Sequence, residues 1–164
     1  MFKIKLLILL LINFLFISCV QQQGQKNDLK FNVSYISGEY DGLLLKNILH
    51  SYLNSQGIYD VSSPYEIKAN ISHESNLYVT NIDNTSDRER IRSTISIAIK
   101  DNLSECQIFS YNRTISQFYI FASNDLFLSN KKAVKEIKKN NTDELVKGFL
   151  NKLNHTTLHC NDQI

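Results

Sequence analysis

Between Arg88 and Ser123 the chain reads RERIRSTISIAIKDNLSECQIFSYNRTISQFYIFAS. Side chains alternate along an extended chain, so Ile91, Ile95, Ile97 and Ile99 share one face. Ser93 is the one polar interruption there. The opposite face carries Arg90, Arg92, Thr94, Ser96, Ala98 and Lys100. An apolar face backed by a polar one marks a half-buried strand of an antiparallel sheet. Asp101-Asn102-Leu103-Ser104 supplies turn chemistry. Cys106 to Ile115 returns as a second β-rich run, which makes the stretch a hairpin of two long strands.

The other elements follow from the same two periods. Phe31, Val33 and Tyr35 alternate, so residues 30–36 read as a first strand. Ser37 and Asp41 are candidate N-caps. Leu44, Leu45, Ile48, Leu49, Tyr52 and Leu53 recur at helical spacing, and Gly57 is the expected stop. That is an amphipathic helix of about four turns, whose stripe is read as a core face. Ser62-Ser63-Pro64 is a turn. Tyr65, Ile67, Ala69 and Ile71 alternate, with Leu77 and Val79 extending the strand past a bulge. Residues 81–87 (NIDNTSD) form a polar loop. After Tyr119 a helical pattern is expected over Phe121 to Lys138. Asn140-Asn141 weakens it, and Thr142 is placed to cap a restart carrying Leu145, Val146, Phe149, Leu150 and Leu153. The order is β-α-β-β-β-α. A sheet with one apolar face needs a cover, and two amphipathic helices supply it. The expected fold is α+β: a two-layer sandwich of two helices on a four-stranded mixed sheet.

The first residues do not fit that domain. Met1 to Lys5 is a short basic start, and Leu6 to Ile17 is an apolar run broken only by Asn13. This is short for a membrane span and right for a signal-peptide core. It ends Phe16-Ile17-Ser18-Cys19, which resembles a bacterial lipobox, with Phe16 where leucine is usual. The expectation is a lipoprotein signal peptide over 1–18 and lipid attachment at Cys19. Acyl chains contribute about 0.8 kcal/mol per buried CH₂, so two or three tether a protein firmly. Val20 follows, and the lack of Asp there resembles outer-membrane cargo. Residues 19–29 read as a flexible polar tether, 30–154 as one domain and 155–164 as a polar tail.

Processing alters the charge balance. The chain has 18 Lys and Arg against 16 Asp and Glu. Residues 1–18 contain Lys3 and Lys5 and no acid, so the remaining chain is neutral. Overall charge therefore gives no support to nucleic-acid binding. Nor is there a glycine-rich phosphate loop or a G-x-S-x-G elbow, and the expectation is a binding protein, not an enzyme, with no cofactor or metal. His155 and His159 stand four apart beside Cys160, a spacing that can hold zinc on a helix, but they fall in the polar tail. Cys106 and Cys160 are either a disulfide, as an oxidising compartment allows, or a buried thiol and a tail thiol. Local basic groups are Arg88, Arg90 and Arg92, and Lys131, Lys132, Lys135, Lys138 and Lys139. Such groups pair with phosphates or form solvated faces.

The ordered residues behind the signal also resemble a known family, the lipopolysaccharide-assembly lipoproteins (LptE), in their alphaproteobacterial form. An Arg before a strand of alternating apolar residues ending in Asp stands here as Arg88 and Asp101. Ser110-Tyr111-Asn112 follows on the return strand, then Gln117-Phe118 and Ala122-Ser123 before the last helix. The pattern covers about a quarter of the chain; the remainder agrees in the order and type of elements. The resemblance implies the same two-layer fold. It also implies an outer-membrane, periplasm-facing lipoprotein that helps assemble and plugs an LptD-like β-barrel translocon, aiding export of lipopolysaccharide. Arg88, Arg90 and Arg92 are then the candidate contacts for lipopolysaccharide or the barrel partner. The alternative is an auxiliary lipoprotein or adaptor of a lipid-transport ABC system.

Overall fold

The computed structural model describes residues 29–79, 87–120 and 127–160. The expected signal peptide over 1–18, Cys19, the expected tether up to residue 28 and residues 81–86 of the expected loop lie outside them. The elements are β1 (Asn32–Ser37), α1 (Glu39–Ser55), β2 (Tyr65–Val79), β3 (Asp87–Asp101), β4 (Cys106–Ile120) and α2 (Phe127–Asn154). The expected β-α-β-β-β-α order is the one observed. The strands form one sheet in the order β1-β2-β3-β4. β1 runs parallel to β2, and the other pairs are antiparallel, which makes the sheet mixed.

Both helices pack on the face that carries the alternating isoleucines. Ile67, Ile95, Ile97 and Ile99 from the sheet meet Leu45, Leu49 and Leu53 of α1 and Leu145, Val146, Phe149 and Leu150 of α2. Phe149 lies edge-on to Phe109 and Tyr111, with ring centroids 5.9 and 5.8 Å apart. The α1 stripe is thus a core face, as its spacing predicts.

Two glycines set the limits of α1. Gly38 is its N-cap, with φ 118°, and a Cβ there would lie 2.8 Å from the Ile71 carbonyl oxygen. Neither Ser37 nor Asp41 caps the helix: Ser37 Oγ donates to Asn70 Oδ1 at 2.8 Å, and Asp41 lies inside α1, paired with Lys138. At the other end Gly57 adopts φ 70°. Ile58 N–H donates to Leu53 O, and Gly57 N–H to Asn54 O, both at 3.0 Å. That is the Schellman arrangement, which closes the last helical carbonyls and seats Ile58 beside Leu53 in the core.

Three details differ from the sequence reading. β2 runs unbroken to Val79, with no register shift against β3, so the expected bulge is absent. β4 continues to Ile120 beyond the expected Ile115. α2 passes through Asn140, Asn141 and Thr142 without a restart. The polar residues are satisfied in place: Thr142 Oγ1 donates to Lys138 O at 2.8 Å, and Asn141 Nδ2 donates to Ser93 Oγ at 2.8 Å. The start expected at Phe121 falls on residues outside those described.

Candidate functional site

Strand alternation fixes where the three arginines go. Ile91, Ser93 and Ile95 face the helices, so Arg88, Arg90 and Arg92 project from the opposite, open face. Register sets their neighbours. Arg92 lies between Glu74 and Ser116, Arg90 between Asn76 and Phe118, and Arg88 between Tyr78 and Ile120. Arg88 and Arg92 are exposed and Arg90 half-buried. Beside them Phe118 and Ile120 are 58% and 70% exposed. The structure therefore gathers the arginines at one end of the open face, next to apolar side chains. Towards the turn end this face is polar and self-paired: Thr94 bonds Thr114 at 2.9 Å, and Lys68 meets Glu66 at 3.5 Å.

On the helix-facing side of the same end, Ser75 Oγ and Tyr119 Oη both donate to Glu89. Burial, then the Glu89 carboxylate, pushes the Tyr119 phenol well above its usual range. Nearer the helices lies a cluster that the sequence reading did not assemble. Ser93, wholly buried, accepts from Asn141 and contacts His73 Nδ1 at 2.7 Å. Ser93 O–H donating to Nδ1 closes the set and leaves the ring proton on Nε2. His73 Nε2 and Asn141 Oδ1 are buried without hydrogen-bond partners. Burial lowers the His73 pKa from its ordinary 6.5; Lys138 lowers it further, and Asp41 opposes them. Asp41 and Lys138 bridge α1 to α2 at 3.2 Å. The signal for this cluster was Ser93, the polar interruption in an apolar stripe.

The turn end is fastened. Leu103 N–H and Ser104 Oγ donate to the Asp101 carboxylate at 2.9 and 2.7 Å. The Ser104 hydroxyl, then the Leu103 amide, hold that carboxyl below its usual pKa. Cys106 and Cys160 form a disulfide, with Cα atoms 5.6 Å apart. The segment read as a polar tail is thereby tied to the hairpin through residue 160, and Leu158 packs against the core. Cys160 is engaged there, and His155 Nδ1–H donates to Asn151 O at 2.7 Å. Among the α2 lysines, Lys138 pairs with Asp41 and Lys139 with Glu136, while Lys131, Lys132 and Lys135 are exposed.

No protein-family model and no curated protein matches the chain. Solved structures do. A minor lipoprotein from Acinetobacter baumannii superposes with a TM-score of 0.59 at 14% identity, over 81% of this chain and 96% of that one. Rare lipoprotein B from Shewanella oneidensis gives 0.62 at 12% identity, over 76% and 92%. Lipoprotein B from Nitrosomonas europaea gives 0.55 at 12% identity, over 77% and 82%. At such identities the likeness is one of fold: this chain has the α+β fold of these bacterial lipoproteins.

Proposed function

We propose that the protein is an outer-membrane lipoprotein that assembles with and plugs a β-barrel lipopolysaccharide translocon, aiding lipopolysaccharide export. The observation that carries this reading is the fold, which it shares with lipoproteins over most of its length, behind a sequence ending in a lipobox-like Phe16-Ile17-Ser18-Cys19. Cys19 takes the lipid. The Cys106–Cys160 disulfide suits an oxidising compartment such as the periplasm. A neutral processed domain whose sheet turns a polar face outward suits a wet barrel lumen. The work is binding and not catalysis. Arg88, Arg90 and Arg92 form a patch that meets either lipid A phosphates or acidic groups on the barrel wall, since guanidinium pairs with both.

Co-purification tests this. Full-length protein, tagged and gently solubilised from its native membrane, should bring down a large β-barrel in near equal amount. An inner-membrane transporter instead would move the assignment to the ABC-system adaptor. Arg88→Glu should weaken barrel association or lipopolysaccharide binding. If both are unchanged, the patch has no such role.

A further inference from the structure

Two strands end the sheet, and the fold treats them differently. β1 has six residues and a register irregularity between Val33 and Tyr35. Its start is closed by Phe31 N–H donating to Ile58 O at 2.8 Å, and by Asp60 N–H donating to Phe31 O at 3.0 Å. Short, irregular or covered edges resist further pairing. β4 has fifteen residues, and its ladder with β3 is regular from Phe109 to Ile120. No strand among the described residues pairs with its outer side. The run Thr114 to Ile120, TISQFYI, contains no charge, proline or glycine. The usual devices against edge pairing are missing from it.

We propose that the outer edge of β4, from Thr114 to Ile120, receives an extended strand of another protein, one that carries apolar and acidic residues on the face it shares with the arginines. The pleat sets alternate residues of an added strand on the open face beside Thr114, Ser116, Phe118 and Ile120. Phe118 and Ile120 already expose apolar surface there. At the same level stand Arg88, Arg90 and Arg92 on β3 and Glu74 on β2: among the described residues, three cations and one acid. Strands lie about 4.8 Å apart, so β3 is about 10 Å from the newcomer, within reach of an arginine and a carboxylate extended towards each other. A second copy is the poorer occupant. Antiparallel self-pairing over this run lays one copy's arginines in the same band as the other's, and like charges oppose. The edge does not depend on the barrel reading, because the place of β4 at the end of the described sheet and the charge beside it belong to this chain alone.

Backbone amide exchange on the full-length protein in detergent tests the proposal. The probes are two ten-residue synthetic peptides, one alternating valine with glutamate and one alternating valine with lysine. The valine–glutamate peptide should slow the outward amides of 114–120 at least tenfold and saturably, leaving Asn32–Ser37 unchanged. The lysine peptide should not. Ser116→Glu, which places a carboxylate beside the incoming ones, should abolish the protection without altering exchange at Ile95–Ile99. Protection by neither peptide overturns the proposal, as does equal protection by both. So does protection of these amides in peptide-free protein with the mass of a dimer, which assigns the edge to a second copy.

Discussion

At the turn end of the hairpin Ile95, Ile97 and Ile99 lie beneath the helices, and Cys106 is bonded to Cys160. At the other end of the same strands Leu77, Phe118 and Ile120 are exposed, and the open face carries the three arginines. Length explains part of this. A fifteen-residue strand extends about 50 Å, whereas the 17 residues of α1 span about 25 Å. The sheet outruns its smaller cover. Apolar burial at roughly 25 cal/mol per Å² therefore concentrates at the turn end. The far end buries less apolar surface and turns Leu77, Phe118 and Ile120 outward.

Substitutions should separate the two ends, starting with the largest effect. Phe149→Ala empties the space between Phe109 and Tyr111, and should cost about 3–5 kcal/mol in urea unfolding. Cys160→Ser opens a loop closed across a sequence separation of 54 residues, and should cost about 2–4 kcal/mol by the same measurement. Ser93→Ala sits at the boundary between the ends. It strips partners from Asn141 and His73 and should cost about 1–3 kcal/mol. Acid should act at this boundary as well. His73 has a folded pKa below 6.5, so between that value and 6.5 the unfolded chain binds more protons. Stability should decline as pH falls below 6.5 and level off below the folded value, and His73→Gln should remove that slope in thermal melts. Arg88→Glu at the far end should change stability by less than about 0.5 kcal/mol while altering binding. A large loss of stability there would end the contrast.

The same boundary marks what could be read from the sequence. The isoleucine alternation placed β3 and its faces, and the α1 stripe placed its core, because those signals are local. Asn140-Asn141-Thr142 read as a weak point because its partner, Ser93, is 48 residues away. Asp41 read as a cap because Lys138, which holds it, is on the other helix. The arginines could be set on one face, but Phe118 and Ile120 beside them depend on a register that alternation does not supply. The absent bulge in β2 and the extra length of β4 have the same origin, since each strand is held by its neighbour where its own apolar pattern fades.

On the proposed lipoprotein reading, the pairing of Cys106 with Cys160 also orders events in time. A chain exported N-terminus first delivers Cys106 to the oxidising side while α2 is still to come. The hairpin thiol must then remain open until the second helix has crossed, so closure of the bridge reports that translocation of both partners is complete. Oxidation that outruns export would leave Cys106 trapped on a foreign thiol, a species visible by mass and released by reductant.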